Sequence, residues 1–199
     1  YNSKVYNRSM ETLSRIFGNE TKVKILKLFL FNQEKIFSIK DISTRVKSDS
    51  SKVRREMSLI EKMGLVKRRS MKKGYGFIVD QQFPYLVSLQ NFLINVEPLQ
   101  PKEIIKKFSK TGSIKLIITS GVFIQEAESR ADLLIVGDGF KKSKLENTIK
   151  TIESEIGKEL RYVCFTTEEF KYRLSMYDKL TRDILDYPHQ KVLNKLGIA

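Results

Sequence analysis

Apolar positions recur at helical spacing through the first sixty residues, and then the period changes. Ile16 and Phe17 close a short amphipathic segment, which Gly18 and Asn19 break. Asn19 is a helix-capping residue and Glu20 suits the positive end of a helix. Val23, Ile25, Leu26, Leu28, Phe29 and Leu30 then give a broad apolar face that ends near Phe31 and Asn32. Phe37 and Ser38 open a second unit in which Ile39, Ile42 and Val46 stand at i, i+3 and i+7. The polar turn Ser48-Asp49-Ser50-Ser51 leads into a helix over residues 51–63. Its predicted buried stripe is Val53, Met57, Ile60 and Met63, with Lys52, Arg54, Arg55, Ser58 and Lys62 off the stripe and Gly64 at the C-terminal cap. Residues 65–69 and 75–79 then read as two strands joined by the basic turn Ser70-Met71-Lys72-Lys73-Gly74, a β-hairpin.

After Asp80 the character shifts. Pro84, Pro98 and Pro101 punctuate a stretch with one predicted helix, over residues 85–96, which places a linker at about residues 80–100. A short helix ends over residues 104–108, and Thr111-Gly112-Ser113 is a turn. β-rich runs follow at residues 114–119, 131–137 and 160–166. Between the last two lies a helix over residues 145–156, with Leu145, Ile149, Ile152 and Ile156 on one face. Thr166 caps a further helix that has Glu168 and Glu169 in its first turn. The expected architecture is a two-domain chain mixing α+β and α/β organisation. A helix-and-hairpin domain spans residues 1–80, a linker helix 81–100, and a sheet domain with alternating strands and helices 101–199.

Composition sharpens this picture. Hydrophobic residues make up 41% of the 199, enough to build packed cores. The net charge is +14, which argues for an anionic partner. That charge is unevenly placed: residues 1–80 hold 19 Lys and Arg against 8 Asp and Glu, or +11, leaving 18 against 15, or +3, for residues 81–199. The anionic partner is therefore sought at the N-terminal part. A single cysteine, Cys164, rules out an intrachain disulfide and suits a reducing, cytoplasmic setting. With only one histidine beside it, a zinc site of Cys and His ligands is not expected. No apolar run reaches the roughly 20 residues of a membrane span, and residues 1–10 carry no signal-peptide core. The chain opens on Tyr1 rather than Met, and reads as trimmed.

The order helix, helix, basic helix, basic hairpin is that of a winged helix-turn-helix, whose second helix enters the major groove with its N-terminal residues at the base edges. On this reading Ser50, Ser51, Lys52, Arg54 and Arg55 face DNA. The hydroxyls and the open helix N-terminus bind phosphate, and the arginines reach phosphate or guanine. Lys67, Arg68, Arg69, Lys72, Lys73 and Tyr75 line the wing along the backbone. Residues 17–80, and above all IEKMGLVKRR, resemble the winged-helix domains of arsenical-repressor-type regulators. The resemblance implies operator binding as a homodimer on double-stranded DNA.

In the second half, SRADLLIVGD resembles the nucleotidyltransferase strand that carries an Asp-x-Asp pair, and KLIITSGVF resembles the strand and turn before it. In that fold two carboxylates hold Mg²⁺ against a triphosphate and a Gly-Ser turn cradles phosphate. The resemblance implies a mixed sheet with flanking helices. The C-terminal stretch TTEEFKYRLSMYDKLTRDILDYPHQKVL is also similar to the end of regulators that join the two domains. The departures are specific. Thr119 stands in place of the glycine before Ser120, and Arg130 in place of the first acid, while Asp132 matches the second. The third strand offers no clear carboxylate. The domain is therefore expected to be catalytically inactive, with no catalytic residue, metal or cofactor. Thr119, Ser120, Arg130 and Asp132 remain a candidate pocket for a nucleotide or phosphate, with dimerisation alone as the other role. Two alternatives stay open: a transferase that uses Asp132 with an unusual metal arrangement, and an adaptor that binds structured RNA through its backbone. Cys164 reads as strand packing, and His189, after Pro188, as part of a turn.

Overall fold

The computed structural model describes residues 8–95, 99–126 and 128–198. The start of the N-terminal segment, residues 1–7, and Val96 and Pro98 of the expected linker lie outside them. The fold is mixed α+β, and the chain divides into two compact units. The first is Tyr1–Pro98 with Lys150–Lys158, and the second is Leu99–Ile149 with Glu159–Ala199.

In the first unit α1 (Arg8–Phe17) is followed by α2 (Glu20–Leu30), which is capped by Asn19: its side-chain oxygen accepts from the Lys22 N–H at 2.9 Å. Helix α3 (Ile39–Val46) starts in a reciprocal capping box. Ser38 Oγ accepts from the Asp41 N–H, and the Asp41 carboxylate accepts from the Ser38 N–H. Helix α4 (Ser50–Lys62) follows, with Asp49 as its N-cap. Its stripe differs from the expected one at two positions. Val53, Met57 and Ile60 are buried, but Met63 is half exposed because the helix has already ended there, and Glu56 is buried in its stead. Gly64 takes the left-handed conformation (φ 87°) that turns the chain out of the helix.

Strands β1 (Val66–Ser70) and β2 (Tyr75–Val79) pair antiparallel, with Arg68 opposite Phe77. Phe37 joins β2 through two hydrogen bonds with Phe77. This close approach explains Gly76: a Cβ there would sit 2.6 Å from Ile36 and 3.0 Å from the Phe37 carbonyl. Helix α5 (Leu86–Asn95) falls where a linker helix is expected, yet Leu86 and Leu93 are buried in the same core as Leu26, Phe29, Ile60 and Phe77. Its period places Leu86 and Leu93 one heptad apart, on the face turned to that core.

The second unit begins with α6 (Pro101–Phe108). Its four-stranded sheet has the order β5-β4-β3-β6, from β3 (Ser113–Thr119), β4 (Leu133–Asp138), β5 (Tyr162–Phe165) and β6 (Gln190–Asn194). β3 runs antiparallel to β4 and β6, whereas β4 and β5 are parallel. The parallel pair needs a crossover, and α7 (Lys142–Ile156) lies between them in the chain. Leu133 to Val136 are all fully buried, the signature of a strand covered on both faces. A single 3₁₀ turn, Gly121–Phe123, follows β3. Helices α8 (Thr167–Ser175) and α9 (Lys179–Asp186) follow β5, and Phe170 and Ile184 from them join a core with Leu116, Leu134 and Phe165. Neither α9 nor β6 is expected from periodicity. The short, half-buried β6 has no alternation to reveal it, and the turn expected at His189 is the residue entering that strand. Among the described residues no helix is long and apolar enough to cross a membrane.

Candidate nucleic-acid interface

The first turn of α4 is closed by the chain's own anion. Asp49 accepts from the Lys52 N–H at 3.0 Å and from the Ser51 hydroxyl at 2.5 Å. The Ser51 hydroxyl, then the Lys52 N–H, hold the Asp49 carboxyl below the usual carboxylate range. Ser50 Oγ lies 3.2 Å from Ser43 Oγ. Sequence reasoning gives these hydroxyls and this helix end to a phosphate; in the structure both hydroxyls have partners within the chain and the end is capped. Lys52 Nζ stays loosely near Asp49, at 3.8 Å. Arg55 is 69% exposed, and its Nε lies 3.4 Å from the buried Glu56 carboxylate. Arg54 is exposed and makes no ion pair among the described residues.

The hairpin divides its cations by strand face. Side chains alternate along β1, so Arg68 shares a face with Tyr75 and Phe77, while Lys67 and Arg69 take the other. Arg68 grips Glu61 of α4 through two hydrogen bonds, of 2.7 and 3.0 Å. Its guanidinium also lies 4.8 Å from the centre of the Tyr75 ring, and Tyr75 meets Phe77 edge-on. Arg68 and Tyr75 thus join the hairpin to α4. Lys67 pairs with Asp80 at 3.0 Å. Arg69, Lys72 and Lys73 are exposed and make no ion pair among the described residues. The expected contact set therefore splits: Arg54, Arg69, Lys72 and Lys73 are available to a polyanion, while Lys67, Arg68 and Arg55 are held by carboxylates.

In the second unit the expected pocket residues part ways. Thr119, Ser120 and Asp132 are buried. Ser120 donates to the Ala131 carbonyl, and Thr119 Oγ1 lies 3.4 Å from the Gln190 carbonyl. Arg130 is 63% exposed and pairs with Asp183 at 3.4 Å, so it does not join them. Asp132 receives four hydrogen bonds: from the Val122 N–H at 3.0 Å, the Arg161 N–H at 2.8 Å, and Arg161 Nε and NH2 at 3.2 and 3.0 Å. Burial works against its charge, but these donors outweigh it and hold the carboxyl below the usual range. Among the described residues no three Asp, Glu, His or Cys side chains come together as a metal-binding group. Cys164 is half-buried, and burial pushes its thiol up to about 11, so it is no ready nucleophile.

Three carboxylates and one arginine that govern these sites are not among the expected residues: Glu56, Glu61, Asp183 and Arg161. Glu56 has a signal in the sequence, since Val53, Glu56, Met57 and Ile60 keep i, i+3, i+4, i+7 spacing and place it on the buried stripe. The others pair with residues distant in sequence or across an irregular turn, where no periodicity reports. Comparison with family models, curated proteins and solved structures returns no match to this chain.

Proposed function

We propose that the first unit is a winged helix-turn-helix that binds double-stranded DNA, and that the chain is a transcriptional regulator. The observation that carries this reading is the set of exposed cations without an acidic partner among the described residues, Arg54 on α4 and Arg69, Lys72 and Lys73 on the following hairpin. These are the two elements a winged helix lays on DNA. The helix order and the Phe37–Phe77 pairing also support it. Operator binding as a homodimer, which the resemblance implies, belongs to the same proposal.

The second unit we read as an inactive nucleotidyltransferase-like domain. The mixed sheet, with β3 antiparallel and β5 parallel to β4, supports the likeness. The Arg161 guanidinium on Asp132, the position where the resemblance puts a metal ligand, supports inactivity. The test is a fluorescence-anisotropy titration against duplex DNA from upstream of the protein's own gene and against a random duplex, at two salt concentrations. Salt-sensitive binding with preference for the upstream DNA is the expected result. Stronger binding to duplex RNA in competition, or no binding to either DNA, overturns the reading.

A further inference from the structure

One side chain of α4 runs against the character of its face. Glu56 lies on the apolar stripe beside Met57, and its side chain is 3% exposed. Oε1 accepts from Asn19 Nδ2 at 3.0 Å and lies 3.4 Å from Arg55 Nε. Oε2 lies 3.5 Å from Lys22 Nζ and has no hydrogen-bond partner among the described residues. A buried charge on a packing stripe is costly, and an apolar residue would fill the stripe without that cost. What an apolar residue cannot do is face one amide donor and two cations. Two of them belong to the start of α2: Asn19, which also caps that helix through Oδ1, and Lys22. The third is Arg55, on the outer side of α4.

We propose that Glu56 is a positioning residue for DNA recognition, acting through Arg55. This inference rests on the DNA-binding reading above. The carboxylate holds Arg55 by Nε, which leaves both terminal guanidinium nitrogens for a guanine edge or a phosphate. Through Asn19 and Lys22 it also ties α4 to the first turn of α2, so the arginine is aimed from a fixed base. Arg54, its neighbour without an ion pair among the described residues, contributes charge without direction. Arg55 contributes direction, which is the ingredient of base discrimination.

The test is a double-mutant cycle on the full chain, reading affinity for the upstream duplex by anisotropy. Glu56→Gln keeps the size and one acceptor oxygen, for which Asn19 and Arg55 then compete, but removes the charge that draws Arg55. Arg55→Ala alone is expected to lower affinity about tenfold, the scale of one bidentate contact. In the Glu56→Gln background the same change is expected to cost little. Effects that simply multiply overturn the positioning role, even if Glu56→Gln lowers the melting temperature. Should Glu56→Gln not fold, Arg55→Lys puts the same question at an exposed site, because lysine keeps the charge but has no Nε to be held. A loss close to that of Arg55→Ala supports the proposal, and wild-type affinity overturns it. If the wild-type chain binds no DNA, the DNA reading itself falls, and this inference with it.

Discussion

The two units differ in how their arginines are paired. In the second unit, arginines meet carboxylates of the same unit: Arg161 with Asp132, Arg130 with Asp183, Arg173 with Glu169 and Asp178, and Arg182 with Asp186. In the first unit, Arg68 and Lys67 are held this way, but Arg54, Arg69, Lys72 and Lys73 are exposed without an acidic partner among the described residues. Net charge alone does not distinguish a binding face from a solvated one. A cation already held by a carboxylate has part of its charge neutralised before any phosphate arrives. The comparison narrows an eleven-residue expectation to four cations without an acidic partner among the described residues, together with Arg55 as proposed above, and assigns the others to building the surface that presents them.

The comparison breaks most directly if charge is removed from each unit in equal amount. Replacing Arg54, Arg69, Lys72 and Lys73 by alanine is expected to lower DNA affinity on the order of a thousandfold at 0.1 M salt, since each lost phosphate contact removes about 0.9 from the salt slope. Replacing Lys110, Lys141, Lys142 and Lys144, exposed in the second unit, removes the same charge and is expected to cost far less. Anisotropy titrations over a salt series check both. Similar losses from the two sets would mean that total charge, rather than a face, drives binding.

On the second unit the expected effect falls on stability. Asp132→Ala strips an acceptor from two backbone N–H groups and a guanidinium, and is expected to destabilise that unit by about 4 kcal/mol. Hydrogen exchange of the β3, β4 and β5 amides reads it directly. The pH dependence has a defined sign. The folded carboxyl titrates below its ordinary 3.8, so the stabilisation is fully present above that pH and is lost as pH falls through the lower folded value. Wild-type protein is expected to lose protection in that acid window, and the alanine variant to lose less.

Legibility in the sequence follows the range of the forces involved. Helices α2, α3 and α4 and strand β2 are legible because caps and apolar periodicity act within a turn or two: Asn19, Ser38 and the Val53-Met57-Ile60 stripe are local signals. The cationic face is legible as composition but not as chemistry, because whether Arg68 is available depends on Glu61, a residue of another element. Arg130 shows the same limit. The sequence places it beside Asp132, yet that carboxylate faces Arg161, 29 residues on, while Arg130 reaches Asp183 on α9. α9 itself falls outside the expected elements, so no local signal marks Asp183 as the partner of Arg130.

The smallest expected effect lies inside the first unit, where a cation is buried rather than displayed. Lys27 on α2 is 3% exposed, and burial lowers its ammonium to about 8, with the Glu155 carboxylate offsetting part of that shift. Gly157 packs so closely on the backbone of Lys27 and Leu28 that a Cβ there would lie 2.6 Å away, which leaves the lysine stem little room to reach water. The unfolded chain holds this proton up to 10.5 and the folded chain only to about 8, so keeping the charge costs stability at neutral pH. Stability is therefore expected to rise between these two values. Lys27→Met, similar in length and free of that cost, is expected to stabilise the first unit by roughly 2–3 kcal/mol at pH 7. The gain should shrink towards nothing above pH 10.5, where neither state is protonated. Urea unfolding followed by far-ultraviolet circular dichroism at pH 7 and near pH 10.5 measures both. An equal gain at the two pH values would attribute the effect to packing. A loss at pH 7 would mean that the ammonium serves the fold as a partner of Glu155, and that buried cations in this unit, like the arginines of the other, are held by acids.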